Sequence, residues 1–363
     1  MTKCNNNCLA EILECFELSG QAIPYGSGHI NDTYLLASPN GEKYIIQRIN
    51  NDVFKKPEEV MENIVAVTEH IRKKIVAQGT DPARQVLHYL KTKDNKYYHK
   101  TADGRYYRAY VYVDGVTTYD IVEKPEDFYK AAKAFGKFQK QLSDFPAHKL
   151  FETIPNFHNT RSRYEDFKRA IKEDRCGRLK DVQAEVDFYL AREADADIVI
   201  NAMAKGDIPV RVTHNDTKLN NVLIDNETNE GICVIDLDTV MPGSLLYDFG
   251  DSMRFGTNTA AEDEKDLSKV TSDLNLFEHY TKGFLEELGD SITPAETELL
   301  PFSAKLMTLE CGTRFLADHL NGDTYFKIHR EGHNLDRART QMKLVADMES
   351  KMDQMAKIVK KYI

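Results

Sequence analysis

The chain has 363 residues, of which 41% are hydrophobic and 29% charged, an ordinary composition for a globular protein in water. This length exceeds what one ordinary hydrophobic core holds, so two lobes or domains are expected. The formal net charge of −10, with no block of lysines and arginines, argues against nucleic acid as a partner.

The first residues lack the apolar core of a signal peptide, and no apolar run approaches the ~20 residues of a membrane span. We therefore expect no membrane partner and a cytoplasmic location. Metal binding by Cys4 and Cys8 is disfavoured, because no second cysteine pair or histidine cluster follows them. Reduced thiols are expected for all the cysteines, at positions 4, 8, 15, 176, 233 and 311.

The first third of the chain shows hairpin and strand patterns. A short amphipathic helix is predicted over residues 8–18, and Tyr25-Gly-Ser-Gly28 opens a hairpin. Pro57 favours a helix to about Val76, with an apolar stripe formed by Val60, Ile64, Val67 and Ile71. Strands are predicted at Thr33–Ala37, Lys43–Ile49, 84–90 and 106–113.

Asp114-Gly115 interrupts the strand pattern, and Pro125 begins a chain that is mostly helical. A β-rich insert at 210–236 is the exception. The longest helical patterns cover 178–203, 273–287, 294–320 and 335–361. The chain therefore predicts an α+β fold with a small β-rich lobe (1–113) and a larger, mainly helical lobe (114–363), and an active-site cleft between them.

The segment Val212-Thr-His-Asn-Asp-Thr-Lys-Leu-Asn-Asn-Val-Leu-Ile224, followed by Val234-Ile-Asp236, has the pattern of a catalytic loop. Transfer of a phosphoryl group from ATP to a hydroxyl needs a carboxylate that deprotonates the hydroxyl and oxygen ligands that hold Mg²⁺. We predict Asp216 as the general base and Asn221 and Asp236 as the metal ligands. One carboxylate alone would more often be a turn residue, so the prediction depends on the combination.

Neighbouring polar residues have supporting or competing roles. His214 is predicted to anchor the loop, and Lys218 either neutralises the γ-phosphate or is solvated. Asp236 is expected at the end of a buried strand with a metal or cation partner. Asp238 is a rival ligand, since strand alternation would place it on the same side.

Asp248-Phe-Gly250 matches the metal-binding triplet of protein kinases. Here it follows Pro242-Gly243 and lies well beyond Asp236. We interpret Asp248 and Asp251 instead as residues that cap a helix start and brace the catalytic loop.

Because the chain is acidic and has no P-loop motif, ATP must be held by local groups. Glycines allow close approach of the backbone to phosphates. Arg48 is expected to reach the α- and β-phosphates, with Glu59 or Glu62 as its partner. The linker Tyr110–Gly115 would hold the adenine edge or serve only as an interdomain strand. The predicted nucleotide-binding residues are Gly26, Ser27, Gly28, Asn31, Arg48 and Tyr112.

Two late residues are candidates for binding an acceptor. Arg314 and Asp318 are four residues apart, so they form a surface ion pair or Arg314 donates to oxygens of the acceptor. Tyr325 offers a ring and a hydroxyl that suit a sugar, although each of these readings competes with a purely structural one.

Together these motifs resemble the aminoglycoside phosphotransferase and choline kinase superfamily, whose fold is protein-kinase-like with a helical acceptor lobe. A closer resemblance is to the N-acetylhexosamine 1-kinase family. The strings that carry it are Tyr25-Gly-Ser-Gly-His-Ile-Asn31, Ile154-Pro-Asn-Phe-His-Asn-Thr160, His214-Asn-Asp-Thr-Lys-Leu-Asn-Asn221, Val234-Ile-Asp-Leu-Asp-Thr-Val-Met-Pro-Gly243, Glu310-Cys-Gly-Thr-Arg-Phe-Leu316 and Gly322-Asp-Thr-Tyr-Phe326.

The resemblance implies ATP- and Mg²⁺-dependent phosphorylation of the anomeric hydroxyl of GlcNAc or GalNAc. It implies Asp216 as base and Asp236 as metal ligand, with Arg314 and Tyr325 holding the sugar and His29 assisting. Arg48 departs from the lysine that most of the superfamily has at this position. The alternatives are a kinase of the same fold for an aminoglycoside, choline or another sugar, and a pseudokinase. A monomer or weak homodimer is expected.

Overall fold

The structure is a computed structural model that describes residues 6–26 and 30–363, with only the backbone for residues 6–8. The described residues form two compact units. Unit 1 runs to Thr117 and adds His148–Ile154 and Leu223–Met241. Unit 2 comprises Thr118–Ala147, Pro155–Val222 and Pro242–Ile363.

The secondary structure confirms the predicted α+β class. The strands are β1 (Gln21–Pro24), β2 (Asp32–Ala37), β3 (Lys43–Ile49), β4 (His99–Lys100), β5 (Tyr106–Val111), β6 (Val116–Thr117), β7 (Arg211–Thr213), β8 (Val222–Asp225), β9 (Gly231–Val234) and β10 (Met241–Gly243). The helices are α1 (Asn6–Cys15), α2 (Pro57–Ala77), α3 (Pro125–Gln141), α4 (Thr160–Glu173), α5 (Gln183–Leu190), α6 (Ile198–Lys205), α7 (Leu245–Gly256), α8 (Leu274–Leu288), α9 (Pro294–Leu320) and α10 (His333–Val359).

Unit 1 is built on an antiparallel sheet in the order β1-β2-β3-β5-β4. The register pairs Tyr34 with Ile46 and Ile46 with Ala109, so these apolar residues share one face. Ile12 and Phe16 pack on that face and complete a small core. A second sheet in the order β6-β8-β9 belongs to the same unit, except for Val222 at the start of β8.

Helix α2 follows the prediction closely. It begins with Pro57 in its first turn and buries the predicted apolar stripe of Val60, Ile64, Val67 and Ile71. Proline is favoured at this position because the first backbone N–H groups of a helix have no partner within it.

Three predicted elements differ from the structure. Helix α1 ends at Cys15, before the predicted residue 18, because Glu17 takes a positive φ of 55° and the Leu18 N–H donates to the Leu13 carbonyl at 2.8 Å. Residues 84–90 are not a strand. They follow a turn at Pro82, whose carbonyl accepts from Gln85 and Val86, and only an isolated bridge at Tyr89 pairs with β5.

The helix predicted over 178–203 is also wrong. The chain forms α5 and α6 separately, with a 3-10 turn at Glu193–Asp197 between them. Arg161 on α4 binds Asp197 through two hydrogen bonds of 2.8 and 2.6 Å, and it also donates to Glu193. These long-range ion pairs hold the turn that local helix propensity did not predict.

Helix α9 is central to unit 2, where it packs against α4, α7 and α10. Thr293 and Glu296 form a capping box at its start, with Pro294 next to the cap. The buried carboxylate of Glu296 also accepts from Arg211 on β7 at 2.6 and 2.7 Å. The start of α9 is thereby fixed to the strand that precedes the catalytic loop.

The Asp248-Phe-Gly250 triplet lies within α7, where Phe249 is fully buried and packs against Phe277, Tyr280 and Phe284 of α8. A Cβ atom on Gly250 would lie 2.3 Å from the backbone carbonyl oxygen of Ser303 on α9. Phe249 and Gly250 of the triplet therefore serve helix packing.

We expect Gly250→Ala to lower the free energy of unfolding by about 1–3 kcal/mol, because the new methyl group forces α7 away from α9. Urea denaturation would measure this change. In an unhindered helix interior the same substitution stabilises by roughly 0.5–1 kcal/mol, so an unchanged or higher stability would show that the two helices are not in close contact.

None of the helices in residues 6–26 and 30–363 carries an apolar stretch of the length needed to cross a bilayer. Cys15, Cys176, Cys233 and Cys311 form no disulfide within the described part of the chain. The side chains of Cys4 and Cys8 lie outside the described residues.

Candidate active site

The loop that joins β7 to β8 in unit 2 is anchored by His214, as predicted. His214 is fully buried, and its ring meets Phe135 and Phe138 of α3 edge to face, with centroids 5.6 and 6.0 Å apart. Its Nδ1 atom accepts a hydrogen bond of 3.3 Å from the backbone N–H of Asp216. The ring therefore fixes the backbone on which Asp216 stands.

Asp248 braces the same loop from α7, which confirms the predicted brace. Its buried carboxylate accepts from the backbone N–H groups of His214 and Asn215 at 2.9 and 2.8 Å, and from the Gln139 amide at 2.6 Å. The predicted capping role is wrong, because α7 begins earlier and Ser244 is its N-cap. Burial raises the pKa of Asp248, although the His214 side chain and these donors act against that rise.

Asp216 is partly exposed, and its carboxylate has two close neighbours in the loop. The Lys218 ammonium lies 2.6 Å from Oδ1, and the Asn221 amide lies 3.3 Å from Oδ2. The Asn221 amide nitrogen also donates to the Asp216 carbonyl at 2.8 Å, so its amide oxygen is the atom suited to a metal. Unit 2 thus brings Asp216, Lys218 and Asn221 together.

Lys218 forms an ion pair with Asp216 and is also influenced by the charge of Asp251. Burial disfavours its charge, but Asp216 and Asp251 outweigh that effect and raise the pKa of the ammonium. Asp251 in turn binds Arg254 at 3.1 Å, inside α7 and not at its start. The sequence suggested that Lys218 is a phosphate ligand or a solvated lysine. Neither interpretation included its ion pair with Asp216.

A buried pair that the sequence did not predict holds the loop from its other side. His158 Nε2 lies 3.1 Å from the Asn215 carbonyl oxygen, and its Nδ1 lies 2.8 Å from the Glu310 carboxylate. Thr160 donates to the other Glu310 oxygen at 2.6 Å. Asn215 itself has a φ of 65°, a backbone conformation that asparagine adopts more readily than most other residues.

The ionisation of this pair predicts a pH dependence of stability. Burial disfavours the His158 imidazolium, but Glu310 outweighs it and raises the pKa of His158 above the ordinary 6.5. The stabilisation is therefore complete below pH 6.5 and is lost as the pH rises through the folded-state pKa. Glu310 titrates below its ordinary 4.5 and lies outside this window.

We expect the stability advantage of the unmodified protein over His158→Gln to be largest near pH 6 and to shrink toward pH 9. Urea denaturation across this range would measure it, with His279→Gln on the exposed face of α8 as the control. A difference that is independent of pH would show that folding does not shift the pKa of His158, and one that grows with pH would show that His158 is neutral in the folded protein.

In unit 1 the structure corrects the expected environment of Asp236. Strand β9 ends at Val234, and Asp236 is exposed with a φ of 58°, followed by a 3-10 turn. Strand alternation therefore does not continue to Asp238. The buried carboxylate is Asp238, which accepts from Arg108 and from the Asn31 amide at 2.6 Å.

Arg108 was missed by the sequence analysis. Burial disfavours its charge, but Asp238 outweighs that effect and keeps the pKa of the guanidinium raised. Gln47 also accepts from Arg108, at 2.8 and 3.0 Å. A charged residue within the apolar run of β5 was the available signal, since buried charges are almost always paired.

The other nucleotide-binding candidates that the structure describes belong to unit 1. Asn31 is held by hydrogen bonds with the Asp238 carboxylate and the Asn50 N–H. Gly26 has a φ of 75°. Ser27 and Gly28, together with the proposed sugar ligand His29, lie outside the described residues. Arg48 donates to Asp32 at 3.0 Å and not to Glu59 or Glu62, because Asp32 stands opposite it on β2.

Tyr112 begins the linker after β5. Its hydroxyl lies 3.1 Å from that of Tyr25, and this contact, with burial, raises its pKa to about 12. The backbone N–H groups of Val111 and Tyr112 already donate to His88 and Lys43. An adenine edge would therefore have to meet the linker elsewhere.

Arg314 and Tyr325 line a pocket of about 260 Å³ in unit 2, between α4, α9 and the loop 324–326. The Arg314 guanidinium lies 6.0 Å from the Tyr325 ring centre and 5.5 Å from that of Phe326. The surface pair of Arg314 with Asp318 is not formed. Asp318 is buried and accepts from the backbone N–H groups of residues 324–326.

The chain is similar to a known protein family and to several solved structures. The model of the phosphotransferase enzyme family (APH) matches residues 21–270, well over half of the chain. An aminoglycoside phosphotransferase from Alicyclobacillus acidocaldarius has a similar structure, with a TM-score of 0.64 and 13% sequence identity over 99% of this chain and 98% of that one.

Two further solved structures are similar over nearly their whole lengths. A microcompartment-associated aminopropanol kinase has a TM-score of 0.59 and 16% identity over 97% of this chain and 99% of its own. An amicoumacin kinase, solved with AMP-PNP and Ca²⁺, has a TM-score of 0.60 and 12% identity over 96% of this chain and 93% of its own. These likenesses confirm the predicted protein-kinase-like α+β fold. The match of the family model shows that the chain belongs to the phosphotransferase enzyme family.

Proposed function

We propose that the protein transfers the γ-phosphoryl group of ATP to the anomeric hydroxyl of an N-acetylhexosamine, GlcNAc or GalNAc, and forms the sugar 1-phosphate. Its family membership supports phosphoryl transfer, and the sequence strings described above support the acceptor. Two of those strings, around His158 and around Glu310, are joined to the catalytic loop by buried hydrogen bonds.

The observation that carries the choice of acceptor is the charge of the pocket in unit 2. Arg163 and Arg314 line it together with Tyr325. Aminoglycosides and choline are cations, which this arginine pair would repel. A neutral sugar offers hydroxyl and carbonyl oxygens that a guanidinium can bind, and its ring suits an aromatic side chain.

In the proposed reaction the acceptor hydroxyl donates to the Asp216 carboxylate. As the new O–P bond forms and the bond to ADP breaks, the hydroxyl proton passes to Asp216. Lys218, at 2.6 Å from Asp216, orients this carboxylate and is a candidate for contact with the transferred group. His214, Asp248 and His158 hold the backbone on which these groups stand.

A divalent cation fits the donors that the chain provides. The Asn221 amide oxygen and the Asp236 carboxylate are hard oxygen ligands, which Mg²⁺ prefers, and this ion usually takes its other ligands from phosphates and water. It would neutralise phosphate charge when bound. The amicoumacin kinase structure, with AMP-PNP and Ca²⁺, supports the pairing of a nucleotide with a divalent metal. Gly26, Ser27, Gly28, Asn31, Arg48 and Tyr112 remain the proposed nucleotide ligands, and His29 a proposed sugar ligand.

A substrate panel tests the proposal. The purified protein is incubated with MgATP and, separately, GlcNAc, GalNAc, an aminoglycoside and choline, and each product is examined by phosphorus NMR. We expect a phosphate coupled to the anomeric proton of an N-acetylhexosamine. Transfer only to the aminoglycoside or choline would overturn the acceptor assignment, and nucleotide binding without any transfer would indicate a pseudokinase.

A further inference from the structure

The pocket in unit 2 has more positive charge than its own carboxylates neutralise. Its lining includes four arginines, at positions 163, 169, 175 and 314, and three acidic residues, at positions 166, 173 and 318. The arginines come from α4, from the segment that follows it and from α9. The question is which of these charges have partners.

Each of the three carboxylates is already engaged. Asp166 binds Arg169 at 3.1 Å, and Glu173 binds Arg175 at 2.7 Å. Asp318 accepts from the backbone N–H groups of residues 324–326 at 2.8–2.9 Å and from the Asn334 amide at 2.9 Å. Arg163 reaches Asp166 only at 4.0 Å.

Arg163 is incompletely satisfied by its neighbours. One of its terminal nitrogens donates to the Phe157 carbonyl at 2.8 Å, but its buried Nε has no hydrogen-bond partner among the described residues. Burial and the nearby Arg314 both lower the pKa of Arg163. Two guanidinium groups that face one pocket repel each other unless an anion lies between them.

Arg314 lies against aromatic rings and forms no ion pair within 4.0 Å in the described part of the chain. The carboxylate of Glu310, one helical turn earlier, already binds His158 and Thr160. Arg314 therefore lines the pocket without a direct ion pair, and the Glu310 carboxylate, whose charge acts on it, is shared with His158.

We propose that this pocket is an oxyanion site, in which Arg163 and Arg314 bind a carboxylate or phosphate group of a sugar-sized ligand that packs on Tyr325. A guanidinium matches the geometry of both groups. Only the sugar part of this statement rests on the proposed function. The anion has two sources, an acidic substituent on the ligand or the phosphate of the sugar 1-phosphate product.

Isothermal titration calorimetry without ATP tests the site. The probes are inorganic phosphate, GlcNAc 1-phosphate against GlcNAc, and glucuronate against glucose, at constant ionic strength. The variants are Arg163→Gln, Arg314→Gln and the control Arg169→Gln. The control also removes a positive charge from the pocket, but the Arg169 side chain is 63% exposed and already paired with Asp166. Arg314→Lys serves if the glutamine variant does not fold by circular dichroism.

We expect inorganic phosphate to bind at least about tenfold more weakly to both the Arg163 and the Arg314 variants, and less than twofold more weakly to Arg169→Gln. Preference for GlcNAc 1-phosphate over GlcNAc identifies the product as the anion source, and preference for glucuronate over glucose identifies an acidic substituent. No binding of any anion overturns the proposal, as does equal weakening in all three variants.

Phosphate bound at a nucleotide site would be unaffected by these substitutions, and that result also overturns the proposal. The measurement requires no turnover. Failure of the substrate panel would therefore leave this result unchanged, and failure of the anion titration would leave the proposed transfer to a sugar untouched.

Discussion

Asp216→Asn is expected to lower kcat by about 10²- to 10⁴-fold, the usual contribution of a general base. Asparagine keeps the shape of the side chain and its contact with Asn221, but it cannot take the proton of the acceptor hydroxyl. It also loses the charge that binds Lys218 at 2.6 Å. Steady-state kinetics with MgATP and the preferred acceptor would measure the change.

The KM for ATP should change by less than about threefold in this variant, because a base that acts on the acceptor contributes little to ground-state nucleotide binding. Asp207→Asn, an exposed carboxylate of the same unit, is the control and should retain full activity. A kcat within twofold of the unmodified enzyme would rule out Asp216 as the base.

Asp248→Asn is expected to cost roughly 2–4 kcal/mol of folding stability and to lower kcat by about ten- to a hundredfold. The carboxylate accepts from two consecutive backbone N–H groups and from Gln139. The asparagine amide has a single oxygen, so at least one of these buried donors would lose its acceptor. The NH₂ group of the asparagine would also face the donors instead of accepting from them. The loop that carries Asp216 then shifts.

Asp318→Asn is a matched control for this prediction. Asp318 is equally buried and also accepts from backbone N–H groups, but those groups belong to the loop around Tyr325. We expect similar destabilisation, with an effect mainly on the KM for the acceptor. If both variants lowered kcat to the same extent, the effect of Asp248 would be general loss of stability and not support of the catalytic loop.

Local signals in the sequence predicted elements whose determinants are also local. Pro57 and the stripe from Val60 to Ile71 predicted α2, and the helical pattern over 294–320 predicted α9. The prediction failed at 178–203, where Arg161 holds a turn through residues more than thirty positions away. It failed again at 84–90, where a turn at Pro82 limits pairing with β5 to Tyr89.

The candidate site shows the same difference between local determinants, which the sequence predicts, and contacts between distant residues, which it does not. The spacing of His214, Asp216 and Asn221 within one loop was enough to predict that they lie close together, and in the structure both His214 and Asn221 contact Asp216. The partners of buried charges were not predictable in this way. Arg108 meets Asp238 and His158 meets Glu310 across 130 and 152 positions of sequence, and a single sequence contains no record of such contacts.

Unit 1 is made of three separate segments of the chain, and this affects how the protein folds during synthesis. Its last segment, Leu223–Met241, supplies Asp238, the partner of the buried Arg108 in β5. While a ribosome has made only the first two hundred residues, Arg108 has no counter-charge and β6 has no neighbour in β8. Unit 1 is therefore completed late, after much of unit 2 has emerged, although it contains the beginning of the chain. A nascent chain stalled before residue 223 should consequently be more sensitive to proteases in its first 117 residues than one stalled after both β9 and Asp238 have left the ribosome.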